Sequence, residues 1–170
     1  MIKRTLIFAA IALAILLPIK YRLVETFVLD NTYMSPTLQR GKIYLIDRVT
    51  LKLRAPKRGD IVVVRSPIGE AGYQALRVIG LPGERVDIRE KKVYINDSYH
   101  EEGMYVKRKN QLGTFESDNV PPRVVPEGNL YVMGDNRDES KDSSNWMDAT
   151  GQRVYYVPMQ NVSGILRGAF

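Results

Sequence analysis

The chain contains no cysteine and only one histidine among its 170 residues. Without thiols it can form neither disulfides nor thiolate metal sites, so packing must stabilise the fold. The single imidazole, His100, excludes a multi-histidine metal site, and its neighbours Tyr99, Glu101 and Glu102 predict a solvated surface position. We therefore expect neither a bound metal nor a cofactor.

The sequence also lacks a block of basic residues interleaved with aromatic residues. The net charge is +6, but lysine and arginine are spread along the whole chain. This distribution argues against a nucleic-acid partner and is better explained by attraction to anionic lipid headgroups near a membrane anchor. A length of 170 residues with 44% hydrophobic content predicts one soluble domain with a sizeable core.

One apolar run, residues 5–19, is flanked by basic residues on both sides. It falls short of the roughly twenty residues that span a bilayer, but flanking apolar residues and snorkelling lysine and arginine side chains can supply the difference. No small-residue cleavage pattern follows, which favours an uncleaved anchor over a cleaved signal peptide. We predict a membrane anchor at residues 1–22 and a domain at residues 23–170, with an orientation that the flanking charges leave open.

After this run the sequence shows no long amphipathic helix. Short β-rich runs punctuated by glycine and proline occur instead, at residues 43–46, 61–65, 86–88, 92–95, 129–133 and 154–157. Their spacing predicts a mainly β domain, either a sandwich or a barrel. The polar segment 101–126, which we call the excursion, is predicted to be a long exposed loop.

Three segments carry a family resemblance: Asn-Thr-Tyr-Met-Ser-Pro-Thr-Leu at 31–38, Leu-Arg-Val-Ile-Gly-Leu-Pro-Gly-Glu at 76–84, and Gly-Asp-Asn-Arg-Asp-Glu-Ser-Lys-Asp-Ser at 134–143. In this order they resemble the signature segments of type I signal peptidases (leader peptidases, the S26 family). The resemblance implies a signal-peptidase-like β-sandwich or barrel domain with one N-terminal anchor helix. It also implies a single pass through the cytoplasmic (inner) membrane, with the domain on the extracytoplasmic face.

The two positions that the resemblance assigns to catalysis hold unexpected residues. Where the family has a serine nucleophile this chain has Tyr33, and where the family has a lysine base it has Leu76. A phenol has a pKa of about ten, and its ring moves the oxygen away from the place of a serine hydroxyl. Leu76 has no titratable atom, so it cannot serve as a general base. We therefore expect an inactive member of this family of serine endopeptidases.

The resemblance also predicts a peptide-binding groove, into which an extended peptide would add as a strand. Its predicted members are Asn31, Met34, Ser35, Pro36, Gln74 and Ala75. Asn31 stands where many relatives have a serine that helps to stabilise the oxyanion, a role that an amide could fill.

The remaining signature residues are predicted to support the site. They are Arg77, Gly134, Asp135, Asn136, Arg137, Ser140 and Asp142. The resemblance implies that Ser140 supports the lysine and that Asp142 pairs with an arginine, whose position is occupied here by Ser144. Turn structure and local hydrogen bonding explain Asp135, Asn136 and Arg137 better than catalysis does.

Three functions follow from these observations. The first is a membrane-tethered, non-catalytic homologue that binds signal peptides or segments of secreted proteins. The second is an active signal peptidase that processes preproteins with atypical groups, for example Ser35 with Lys141 or Lys42. The third is an adaptor or regulatory subunit, whose excursion contacts an active signal peptidase or other secretion machinery.

Overall fold

The computed structural model describes residues 24–69, 72–108, 110 and 115–169. The predicted anchor at residues 1–22 lies outside the described residues. Within these ranges, no helix has the length and apolarity that a membrane crossing requires.

The described chain is mainly β-structure, as the sequence predicts, with one five-residue α-helix. In chain order the elements are β1 (Val24–Val28), β2 (Ile43–Asp47), α1 (Val49–Leu53), β3 (Ile61–Arg65), β4 (Tyr73–Gly80), β5 (Arg85–Arg89), β6 (Lys92–Ile95), β7 (Ser98–Tyr99), β8 (Val120–Val124), β9 (Asn129–Met133), β10 (Val157–Pro158) and β11 (Val162–Ala169). Short 3₁₀ turns occur at Glu116–Asp118 and Met159–Asn161.

The strands form two antiparallel sheets. The large sheet has seven strands in the order β1-β2-β11-β3-β4-β9-β10, and the small sheet has four in the order β7-β6-β5-β8. Alternate side chains of β4 and β9 point to opposite faces of the large sheet. One face holds a core cluster that includes Leu76, Val132 and Trp146. The other face packs against the small sheet.

Two further clusters complete the core. Ile79 of β4 and Tyr131 of β9 pack against the small sheet, in a cluster with Val86, Ile88, Val93 and Ile95. A third cluster lies where the first signature segment meets the large sheet, and it buries Leu29, Met34, Leu38, Tyr44, Ile46, Val63, Ala75 and Leu166. The third cluster therefore connects the first signature segment to β4.

Most of the predicted strands are confirmed, because β2, β3, β5, β6 and β9 coincide with the predicted apolar runs. The run at 154–157 contributes only Val157 to a strand. The interior strand β11 is not predicted from the sequence, because Gly164 and Gly168 interrupt its apolar pattern. Gly164 is required there, since an added Cβ would lie 2.2 Å from the side chain of Ile46.

The excursion differs from the predicted exposed loop. Its C-terminal part forms β8, which pairs with β5 and places Val120 opposite Ile88. Glu102, Asp118, Val120 and Val125 are buried. Pro121 and Pro122 are compatible with a strand for two reasons. β8 lies at the edge of its sheet, where an N–H that faces outward has no partner strand, and the register with β5 shifts between Val86 and Ile88, opposite the two prolines.

Candidate functional site

The first signature segment forms a compact turn between β1 and β2. Met34 is fully buried and Leu38 nearly so, and the Leu38 N–H donates to the Met34 carbonyl at 2.9 Å. Tyr33 is half-buried, and its N–H donates to the Asn31 side-chain oxygen at 3.2 Å. The two buried apolar side chains thus hold the backbone around Tyr33 in place.

The third signature segment packs directly onto this turn. The Asn136 N–H donates to the Tyr33 carbonyl at 2.8 Å, and the Asn136 side-chain amide donates to the Thr32 carbonyl at 3.1 Å. A Cβ added to Gly134 would lie 2.6 Å from the Tyr33 carbonyl oxygen and 2.2 Å from Ser140 Oγ. Only glycine permits this approach, so Tyr33, Gly134, Asn136 and Ser140 are brought together.

The two assigned catalytic positions lie in different surroundings. Leu76 is fully buried in the apolar cluster with Val132 and Trp146, whereas Ala75 next to it points to the other face and packs in the cluster of Met34. An aliphatic side chain in such a cluster supplies no proton acceptor. Of the remaining predicted groove residues, Gln74 is buried, Asn31 and Ser35 are half-buried, and Pro36 is exposed.

Ser140 is buried, and its hydroxyl has no hydrogen-bond partner among the described residues. Its backbone is well held, since the Ser140 N–H donates to the Asn136 carbonyl at 2.9 Å. Leaving a buried hydroxyl unpaired costs about 1–3 kcal/mol. The structure therefore keeps a polar atom here that no described neighbour satisfies.

Asp142 is satisfied without an arginine. The backbone N–H and the hydroxyl of Ser144 donate to Asp142 Oδ1 at 2.9 Å and 2.6 Å, and the Gly134 N–H donates to Oδ2 at 2.9 Å. At the position where the resemblance implies an arginine, Ser144 thus supplies two uncharged donors to the Asp142 carboxylate.

Arg77 and Asp135 link the three segments. Arg77 Nε donates to Asp135 Oδ1 at 2.8 Å and Arg77 Nη2 donates to Oδ2 at 2.6 Å, while the Thr37 hydroxyl also donates to this carboxylate. Burial by itself lowers the pKa of Arg77, but the hydrogen bonds and charge of Asp135 outweigh it and hold that pKa above its usual value. Arg77 therefore remains a cation that ties β4 to both neighbouring segments.

Arg137 forms a second ion pair, with a residue that sequence reasoning missed. Arg137 Nη1 donates to Glu102 Oε2 at 2.8 Å, Nη2 pairs with Oε1, and Nε donates to the Gly134 carbonyl at 3.1 Å. Both side chains are buried. Glu102 belongs to the excursion, and nothing in its local sequence distinguishes it from the exposed Glu101 beside it.

His100 is half-buried and is therefore less solvated than the sequence predicts. Its Nε2 lies 3.3 Å from the Tyr105 hydroxyl, and the Tyr105 ring lies under the Arg77 guanidinium at 4.2 Å. Burial lowers the pKa of His100, although the charge of Glu102 opposes the shift. The imidazole thus contacts a tyrosine that stacks on the Arg77–Asp135 pair.

The structure also shows the surroundings of the residues that an atypical catalytic mechanism would use. Ser35 donates its N–H to the Thr32 carbonyl at 3.0 Å, and Lys42 and Lys141 are exposed. Within the part of the chain that the structure describes, no group of three or more carboxylate or imidazole side chains could hold a metal ion.

Comparisons with known proteins agree with this architecture. The family model described as "Signal peptidase, peptidase S26" matches residues 2–169. Signal peptidase I T of Bacillus subtilis is 35% identical over 141 residues, which cover 80% of this chain and 72% of that protein. Thylakoidal processing peptidase 1 of Arabidopsis thaliana is 29% identical over 92% of this chain and 44% of its own length.

A solved structure shares the fold. The crystal structure of a signal peptidase I from Enterococcus faecalis superposes with a TM-score of 0.50 at 31% identity, covering 67% of this chain and 98% of that one. The matched length, the identities and the shared mainly β fold lead to one conclusion. This chain belongs to the signal peptidase family, peptidase S26.

Proposed function

We propose that this chain is a membrane-anchored, non-catalytic member of the signal peptidase family that binds extended peptide. Its ligands are signal peptides around their cleavage region, or similar segments of secreted proteins. The observation that carries the proposal is the pair Tyr33 and Leu76, which occupy the assigned nucleophile and base positions in an otherwise ordered scaffold.

The chemistry of these two side chains opposes peptide-bond cleavage. A neutral phenol is a poor nucleophile unless a base removes its proton, and Leu76 in its apolar cluster offers none. The unpaired Ser140 hydroxyl supports the same interpretation, because the resemblance implies a lysine ammonium as its partner. Removal of that ammonium leaves the hydroxyl buried and unsatisfied.

The structural support for peptide binding is the ordered surroundings of Tyr33. Met34 and Ala75 pack in one cluster, and hydrogen bonds between the three signature segments hold the turn that carries Met34 beside β4. A site that is ordered in advance in this way lowers the entropic cost of binding an extended peptide. The remaining predicted groove members, Asn31, Ser35, Pro36 and Gln74, belong to the same proposal.

The proposed location follows from the apolar run at residues 5–19. We assign residues 1–22 to a single-pass anchor and residues 23–170 to a domain on the extracytoplasmic face of the cytoplasmic membrane. Its partners there are the membrane, preproteins and, as a companion, an active signal peptidase or the secretion machinery.

Two other functions receive less support. Ser35 uses its backbone N–H within the turn, and the exposed Lys42 and Lys141 do not replace a buried base. An adaptor that uses the excursion as a free loop fits poorly, because Glu102 and Asp118 are buried and β8 is part of the small sheet.

The test combines binding and cleavage with the full chain in detergent or lipid. A labelled peptide with the small-x-small pattern of a cleavage region should bind more tightly than its scrambled version, and mass spectrometry should detect no product. Equal binding of both peptides would refute peptide recognition. Multiple turnovers by the purified chain would refute inactivity, especially if Ser35→Ala abolished them.

A second experiment restores the serine and lysine that the resemblance implies, and it tests the proposal more directly. Tyr33→Ser combined with Leu76→Lys should produce cleavage of the same peptide, since burial in the apolar cluster around position 76 favours the neutral amine of the new lysine, which can then accept the proton of the new serine hydroxyl. The control Tyr33→Ala with Leu76→Met preserves the apolar interior and should remain inactive. Fluorescence of the single tryptophan, Trp146, checks that each variant is folded.

A further inference from the structure

A pocket of about 530 Å³ lies next to the first signature segment. Its apolar wall consists of Leu38, Tyr44, Ile61 and Leu166, and its remaining lining residues are Thr37, Gln39, Lys42, Arg167 and Gly168. Leu38, Tyr44 and Leu166 also belong to the cluster that buries Met34 and Ala75. The pocket therefore shares its wall with the residues at the proposed peptide site.

The charge of this pocket is of one sign. Lys42 and Arg167 line it, and no aspartate or glutamate does. Lys42 is exposed and forms no ion pair with any residue that the structure describes. Arg167 is half exposed, and it contacts Asp47 through Nε at 3.3 Å. An anionic group entering the pocket would meet the Lys42 ammonium and the Arg167 guanidinium, whose Nε already contacts Asp47.

The pocket lies beside an irregularity in β11. The register between β11 and β2 shifts between Arg167 and Ala169, so Gly168 lies at a bulge. A Cβ added to Gly168 would meet no atom within 4 Å. Because Gly168 lines the pocket, a larger side chain at this position would take up space at its edge without a steric clash at the Cβ.

We propose that this pocket binds the carboxylate of a peptide whose chain lies along the first signature segment. Apolar walls with a few charged groups are typical of sites that hold an apolar side chain and orient one anion, and lysine and arginine both form charge-assisted hydrogen bonds with carboxylates. The inference rests on the proposed function and adds a substrate class, namely peptides that end in, or carry, a carboxylate at this place.

The experiment compares three peptides of one sequence on the full chain. The first ends in a free carboxylate, the second in an amide, and the third in an amide preceded by aspartate. The free acid should bind about fivefold more tightly than the amide at low salt, a difference typical of exposed charge pairs, and the advantage should shrink as salt is added. If the aspartate peptide matches the free acid, the pocket accepts a side-chain carboxylate equally well. Equal binding of acid and amide would overturn the proposal.

The variants test the pocket itself. Lys42→Gln and Arg167→Gln should each reduce the preference for the acid while leaving binding of the amide unchanged. Gly168→Leu should weaken binding of the acid by filling the space. Lys52→Gln removes an exposed cation of α1 that does not line the pocket, and it should preserve the preference. Loss of the preference in this control as well would indicate a general charge effect and refute the site.

A small probe separates this inference from the proposed function. N-acetyl-leucine and its amide can be titrated by NMR, with resonances of Leu38, Tyr44 and Leu166 as reporters. Shifts caused by the acid and not by the amide would support the pocket even if no peptide bound above its scrambled control. Absence of such shifts would overturn the pocket even if peptide recognition held.

Discussion

At the scale of single residues, two buried serines of the third signature segment have opposite hydrogen-bonding states. Ser143 Oγ accepts the Val132 N–H at 3.0 Å, whereas Ser140 Oγ has no described partner. Both side chains are buried to a similar extent. The same substitution at the two positions therefore compares the loss of a hydrogen-bonded hydroxyl with the loss of an unpaired one.

Ser140→Ala should leave the free energy of unfolding unchanged or raise it by up to about 1 kcal/mol, because the variant removes an unsatisfied polar group. Ser143→Ala should lower it by about 1–3 kcal/mol, since the Val132 N–H loses its acceptor. Urea titrations of both variants measure the difference. An equal loss in the two variants would show that Ser140 has a partner in solution.

His100 should make the stability depend on pH. Burial lowers its pKa, and the charged groups that act on it are Glu102, Arg58, Arg137 and Glu84. The folded chain then binds fewer protons than the unfolded chain just below the ordinary histidine pKa of about 6.5. The stabilisation is complete above that value and is lost as the pH falls toward the folded-state pKa.

Urea midpoints measured at about pH 7.5 and about pH 5 should therefore fall more steeply in the natural chain than in His100→Gln. The comparison is clean because the chain has one histidine, so the carboxylate contributions are common to both proteins. Parallel pH dependence in the two proteins would contradict the shift.

At the scale of elements, the excursion is tied to the third signature segment by a buried ion pair and by backbone bonds. The Lys107 N–H donates to the Asp135 carbonyl at 2.7 Å, and the Arg137 N–H donates to the Lys107 carbonyl at 3.1 Å. Together with the Glu102–Arg137 pair, these bonds make the first part of the excursion a support for the turn beneath Tyr33.

Glu102→Ala should destabilise the fold by about 3–5 kcal/mol, because it leaves the Arg137 guanidinium buried without a counter-charge. The neighbouring Glu101→Ala changes an exposed residue and should stay within about 0.5 kcal/mol. Thermal unfolding of the two variants provides the measurement. Replacing both partners, as Glu102→Leu with Arg137→Met, should recover much of the loss, and a failure to do so would show that the role of the pair is not electrostatic.

At the scale of the whole molecule, β4 and β9 contribute to the packing on both faces of the large sheet. Their alternate residues enter both the cluster around Trp146 and the cluster that faces the small sheet. A loss of packing in the small sheet should therefore also lower the stability of the region around Trp146, although this residue belongs to the other cluster.

Ile88→Ala, a change in the small sheet, should lower the free energy of unfolding by about 2–5 kcal/mol. Trp146 fluorescence and far-UV circular dichroism should report the same shifted transition. Val124→Ala alters an exposed residue of the same sheet and should shift neither probe appreciably. Separate transitions for the two probes would mean that the sheets unfold independently.

The strands that the sequence predicts are those whose pattern is local. The alternating apolar runs of β2, β3 and β5 are visible along the chain, because a strand's side chains alternate between two faces. Such local information is missing for β11, where Gly164 is required by close packing and Gly168 interrupts the apolar pattern a second time. It is also missing for Glu102, whose burial depends on an arginine far away in the chain.

The sequence is sufficient to show the family, because the match extends over most of the chain. It also places Tyr33 and Leu76 at the two positions that the resemblance assigns to catalysis, and residue identity fixes which atoms there can attack or accept a proton. The unpaired Ser140 hydroxyl, the pairing of Arg137 with Glu102 of the excursion, and the pocket lined by Lys42 and Arg167 become visible only in the folded chain. These features depend on contacts between residues distant in the chain, and local pattern carries no record of which distant side chains packing brings together.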